Sequence, residues 1–229
     1  MTMKDIKDRI SIQVGLSGYS FRIQTVDGIE HSSDWLSAER IFSTPEFQKR
    51  YSDVEVSVFT PKCALVPSQF HQPETSRQML SEVFTVTDDE SVEFVSVPEF
   101  AAVLLFSATS AGAMSRVVSE TVLRTDGTKA RPLPETYYML KQLSDIPEYN
   151  KILASYKDGF LYLVIAQGKS LLLSNTFKAP DFTTAQYFIF LAMKKLQLNP
   201  EVSSLFFRTP LNSEQEISLY HYFKNVEQI

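Results

Sequence analysis

The sequence predicts an α/β protein with mixed sheets flanked by helices. Three observations carry this expectation. Short segments alternate apolar and polar residues, or run continuously apolar, as strands do. Glycine-containing turn dipeptides separate them at hairpin spacing. Longer stretches with helical composition and capping residues follow the hairpins. The chain has 229 residues, 44% hydrophobic and 21% charged. That suffices for one large domain or two smaller halves, with no disulfide or metal needed to hold a core.

The elements can be justified in order. Residues 10–14 (Ile-Ser-Ile-Gln-Val) alternate as a half-buried strand. Gly15-Leu16-Ser17-Gly18 makes a tight turn, residues 19–26 return as a second strand, and Asp27-Gly28 opens a hairpin. Residues 54–60 and 92–97 alternate like strands, and 101–106 form a buried one. Residues 113–122 and 134–143 are predicted helices, with Pro134 suited to a first turn. Asp88-Asp89-Glu90 reads as a solvated turn. Residues 124–134, with Gly127, Lys129 and two prolines, are the most linker-like stretch. A boundary near residue 146 then separates two halves, 1–146 and 147–229.

The second half is clearer. Residues 151–156, 160–166 and 170–177 read as a three-stranded meander, turned at Asp158-Gly159 and at Gln167-Gly168-Lys169. Asp181 is positioned to cap a helix over 183–198, whose aromatic and aliphatic residues wrap much of its circumference and so bury it on more than one side, and Asn199-Pro200 ends it. Residues 204–207 form a short buried strand. Ser213-Glu214-Gln215-Glu216 reads as a capping box opening a last helix. The order is β-β-β-α-β-α. A complete half of this kind would add a strand and a helix after residue 224, so either this half is trimmed or the two halves pair differently.

Composition excludes several functions. A net charge of -5 and no cluster of basic and aromatic residues argue against nucleic-acid binding. Lys49-Arg50 and Lys194-Lys195, the densest basic spots, read as wet helix faces. No run reaches the ~20 apolar residues of a membrane span; residues 187–193 read as a buried helix core. The charged N-terminus is no secretory signal. The single cysteine, Cys63, excludes an internal disulfide framework, suits a reducing compartment and reads as structural. These features fit a cytoplasmic protein.

No set of catalytic residues stands out. Gly168-Lys169-Ser170 imitates the end of a P-loop, but Leu163 stands where that motif needs glycine, and the context is strand-to-strand. Gly15-Leu16-Ser17-Gly18 imitates a nucleophile elbow with its second glycine one residue early, Tyr19 taking its place. His31, His71 and His221 show no metal-ligand spacing. Trp35 reads as core; it and Tyr137-Tyr138 are also candidate partner anchors. No metal and no cofactor is expected.

The β-β-β-α-β-α unit, and the shorter hairpin-led version before it, resemble the actin-like ATPase (ribonuclease H-like) superfamily. Residues 11–21, 65–70 and 156–209 further resemble an uncharacterised bacterial family with that fold, which implies a fold and no known function. Active superfamily members would need an acidic residue at the first hairpin, an acidic-glycine turn opening the second half, and a later glycine pair at the adenosine. Here Gln13-Val14 precede the first turn. The second turn reads as Ile165-Ala166-Gln167-Gly168, and Arg208-Thr209-Pro210 stand in place of the glycines. The resemblance thus implies a vestigial nucleotide cleft at Gly15, Leu16, Ser17, Gly18, Gln167, Gly168 and Lys169, without catalytic residues. The leading expectation is an inactive module that binds another protein. Two alternatives stay open: a degenerate nucleotide-binding, kinase-like enzyme using displaced carboxylates such as Asp27, Asp158 or Asp181, and a small-molecule sensor using the cleft between halves.

Overall fold

The computed structural model describes residues 8–108 and 112–229. In chain order its strands are β1 (Arg9–Val14), β2 (Gly18–Gln24), β3 (Glu30–Ser32), β4 (Leu36–Ser37), β5 (Asp53–Val58), β6 (Cys63–Pro67), β7 (Val92–Val97), β8 (Ala102–Ser107), β9 (Pro132–Pro134), β10 (Asn150–Lys157), β11 (Phe160–Gln167), β12 (Ser170–Lys178), β13 (Ser204–Phe207) and β14 (Asn225–Gln228). The α-helices are α1 (Ser76–Ser81), α2 (Gly112–Thr121), α3 (Glu135–Gln142), α4 (Phe182–Lys195) and α5 (Ser213–Tyr220). The chain divides into two compact units. The described part of the first is residues 8–59 with 112–133; that of the second is 60–108 with 134–229. The compact units therefore follow four stretches of sequence.

The first unit is built on a sheet of order β3-β2-β1-β5-β9, with β4 on β2. β1 pairs antiparallel with β2 and parallel with β5. Strand alternation places Ile10, Ile12, Val14, Tyr19, Phe21, Ile23, Val54, Val56 and Val58 in one core with Ile41, Phe47 and Val118 of α2. Tyr19 stays in that core because its hydroxyl meets Thr44 Oγ1 at 2.5 Å. The alternate positions are polar, yet Gln13, Ser20, Glu55 and Ser57 are buried too. Hydrogen bonding lowers the cost of that burial: Ser11 Oγ donates to Glu55 at 3.1 Å and Ser20 Oγ to Gln13 at 3.3 Å. Residues 124–134 are not a linker. The Arg124 N–H donates to Thr128 O at 3.0 Å and Gly127 turns at φ 81°, so the segment folds back before β9.

The second unit holds a sheet of order β12-β11-β10-β13-β14 and a three-stranded sheet of order β6-β8-β7. β10, β11 and β12 form the expected antiparallel meander, while β13 runs parallel to β10 and β14 parallel to β13. Ile152, Ala154, Leu161, Leu163 and Ile165 bury against Ala185, Ile189 and Met193 of α4. Leu80 of α1 packs with Val103 and Leu105 under the smaller sheet. The strand order of the larger sheet repeats that of the first unit. β10, β11, β12, β13 and β14 take the places of β1, β2, β3, β5 and β9.

Several expectations need correction. The final strand is present: β14 supplies it within the last five residues. α4 is not buried around its circumference, since Tyr187 is 59% exposed while Ala185, Ile189, Ala192 and Met193 form one buried face. It also stops early. Gln197 takes a left-handed conformation at φ 58°, and the Leu198 N–H closes the end on Met193 O at 2.9 Å. The last helix is capped by Asn212 rather than Ser213, in a capping box with Gln215. Trp35 is half-buried against Phe59, not core. Among the described residues, no helix is long and apolar enough to cross a membrane.

Candidate functional site

The first predicted turn joins β1 to β2. The Gly15 N–H donates to Gly18 O at 2.9 Å, and Leu16 (76% exposed) and Ser17 stand at the tip. Gly18 is required by packing. A Cβ there would lie 2.1 Å from Leu36 O, because β4 crosses directly over it. The space a glycine could offer to a phosphate is taken by a backbone carbonyl, which repels anions. Gln13, where an acidic residue would lead the hairpin, is buried and accepts from Ser20.

The turn at Gln167-Gly168-Lys169 joins β11 to β12. Gln167 Nε2 donates to Asn150 Oδ1 at 2.9 Å. The Gly168 N–H donates to Tyr149 O at 2.8 Å, and the Tyr149 ring comes within 3.2 Å of where a Cβ would stand. That amide is already committed. Lys169 is exposed and lines a groove beside β6.

The repeated strand order assigns a different turn as the counterpart of Gly15–Gly18. β10 and β11 correspond to β1 and β2, so the equivalent position is Asp158-Gly159. Both residues have positive φ, 52° and 78°, the conformation of a tight two-residue hairpin. The Asp158 carboxylate lies 3.7 Å from Lys157 Nζ. An acidic-glycine turn thus does stand at the head of this sheet, one hairpin earlier than Gln167. Asp27 sits in the exposed β2–β3 turn. Asp181 caps α4, accepting from the Thr184 N–H at 2.7 Å.

The carboxyl ends of β10 and β13 are filled by protein. Arg208, just after β13, donates from Nε to Glu135 Oε1 at 3.0 Å and from Nη1 to Gln142 Oε1 at 2.8 Å, with its guanidinium 5.8 Å from the Tyr138 ring centroid. Ser155 of β10 also donates to Glu135 Oε1, at 2.6 Å. Glu135, Tyr138 and Gln142 share one face of α3, by helical spacing. Thr209 is buried, its Oγ1 accepting from the Tyr156 N–H at 3.0 Å. Nothing in the local sequence marks Glu135 as a buried carboxylate; only the fold brings its partners to it.

Chemistry elsewhere is quiet. The Cys63 thiol donates to Thr60 O at 3.3 Å, and burial pushes its pKa up to about 12, which favours the neutral thiol over the thiolate. Burial, chiefly, with the Glu135 and Asp158 carboxylates adding to it, raises the Tyr162 phenol well above its ordinary value. His31 stands 4.0 Å from Glu46, while His71 bonds Ser76 and His221 ends α5. Among the described residues no group of three or more His, Cys, Asp and Glu is placed to hold a metal ion.

The fold is found elsewhere. A Bacteroides thetaiotaomicron protein with an actin-like ATPase fold and unknown function aligns over 100% of this chain and 94% of its own, with TM-score 0.65 and 15% identity. The PilM-PilN type IV pilus biogenesis complex aligns over 96% of this chain and 88% of its own, with TM-score 0.47 and 12% identity. The ethanolamine utilization protein EutJ from Carboxydothermus hydrogenoformans aligns over 96% and 84%, with TM-score 0.42 and 8% identity. No curated protein sequence matches significantly. The architecture is therefore an actin-like ATPase fold, as the β-β-β-α-β-α order led one to expect. Residues 7–226 match the protein family of unknown function DUF3822, and the chain belongs to that family.

Proposed function

We propose that this chain is a catalytically inactive actin-like module of the cytoplasm that works by binding another protein. One observation carries the reading. Open α/β sheets hold ligands outside the carboxyl ends of their parallel strands, and here the ends of β10 and β13 are occupied by the Glu135–Arg208–Gln142 network. Phosphoryl transfer also depends on placed carboxylates and free backbone donors. Gln13 replaces a carboxylate at the first hairpin, and Gly18 is covered by Leu36. The repeated strand order supports two halves, 1–146 and 147–229, with 60–108 inserted between β5 and α2 of the first. Purified protein should hydrolyse Mg²⁺-ATP no faster than buffer does; turnover well above background would end this reading.

A second reading, nucleotide binding without a complete catalytic set, is favoured by Asp158-Gly159 at the turn equivalent to Gly15–Gly18. A ligand that binds only the folded chain stabilises it by about 2.7 kcal/mol at a hundredfold excess over Kd. A rise in Tm with Mg²⁺-ATP, abolished by Asp158→Asn, would replace the vestigial cleft by a working binding site.

A further inference from the structure

A groove of about 510 Å³ runs within the second unit, between β6, the turn before β8 and the start of β12. Its apolar wall is made by Leu65, Pro67, Phe100 and Leu171. Glu99 and Lys169 also line it, and both are exposed. Among the described residues neither makes an ion pair. Two opposite charges thus border one apolar groove without neutralising each other.

The rims are fixed before anything binds. On one side Ala101 is held in the left-handed region at φ 48°, its N–H donating to Pro98 O at 3.1 Å and its carbonyl accepting from the Ser68 N–H at 2.9 Å. On the other, Gly168 is pinned to Tyr149 O. Such a site loses little freedom on binding. β6 is also an edge strand of its sheet. The Ser107 N–H bonds Lys62 O and the Ser68 N–H bonds Ala101 O. Antiparallel alternation then turns the Leu65 N–H and C=O away from β8, onto the outer edge.

From these features we infer that the groove is a docking site for an extended segment of a partner protein, in which an apolar side chain is flanked by an acidic residue for Lys169 and a basic residue for Glu99. The charges choose the flanks by complementarity. Apolar side chains set between two opposite charges suit a peptide, whose successive residues can supply one apolar and two oppositely charged groups. This inference rests on the protein-binding reading above and names a site and a partner chemistry for it.

The test is selection of a random dodecapeptide display library on the full chain, followed by binding of synthesised hits. Enriched peptides should carry an apolar residue between an acid and a base. Lys169→Glu should weaken them at least tenfold, and exchanging the peptide's acid for lysine should restore binding to that variant; Glu99→Lys should show the mirror pattern. Both side chains are exposed, so the fold is spared. Hits that bind equally well to Lys169→Glu and Leu171→Arg would overturn the groove while leaving a protein-binding module standing. Enrichment of no peptide would overturn the groove as a peptide site, and the ATP assay above judges the broader reading separately.

Discussion

Arg208 Nε lies 3.0 Å from Glu135 Oε1, with 9% of the arginine side chain and none of the glutamate side chain exposed to solvent. A buried pair of this kind is costly to break from one side, because the survivor is left charged and unpartnered.

Arg208→Met should therefore destabilise the protein by about 3–5 kcal/mol in urea unfolding. Glu135→Leu combined with Arg208→Met should recover most of that loss, because no lone charge remains. If the single change cost under about 1 kcal/mol, the pair would not be buried as described.

Gln197 ends α4 with φ 58°, a conformation that costs a side-chain-bearing residue about 1 kcal/mol and glycine little. Gln197→Gly should raise stability by several tenths of a kcal/mol to about 1 kcal/mol, after allowance for glycine's greater freedom when unfolded. Thermal unfolding checks the sign; a fall in Tm would contradict the left-handed cap.

Gly18 tests the opposite case. Its Cβ would meet Leu36 O at 2.1 Å, so Gly18→Ala must push β4 away from β2. A loss of about 1–3 kcal/mol is expected from such overpacking. Hydrogen exchange should show faster opening at Leu36 and Ser37, and a neutral substitution would mean that β4 does not close over the turn.

Glu90 gives a pH signature. Chiefly because Lys62 donates to it, with Thr87 Oγ1 adding a bond at 3.1 Å, its pKa is lowered from 4.5 to about 2. A carboxylate depressed in the folded state stabilises above its unfolded pKa and loses that contribution as pH falls through its folded one. Stability should thus decline between about pH 4.5 and 2. Glu90→Gln should flatten that part of the acid-unfolding profile, and an unchanged slope would refute the assignment.

Local patterns made much of the fold legible. Asp158-Gly159 and Asp27-Gly28 announce hairpins because few residue pairs accept their backbone angles, and Asp181 announces its helix because a cap needs a short acceptor. What stayed hidden depends on long-range pairing. Two turns with similar composition flank β11, and only the parallel partnership of β10 with β13 shows that Asp158-Gly159, not Gln167–Lys169, matches Gly15–Gly18. β14 is four residues long and gains its strand character from β13. Glu135 looks in sequence like an ordinary first-turn acid, and its burial follows from an arginine 73 residues away.

The interleaving of the two units also governs how the chain is made. Residues 8–59 belong with 112–133, so the first unit cannot be completed on a ribosome until the whole of 60–108 has already emerged. The strands β1, β2 and β5 must wait, with apolar faces uncovered, for Val118 of α2 to arrive. The interval between them, at roughly 5–20 residues per second of synthesis, is the period in which the nascent protein is most exposed to chaperones and to misassembly.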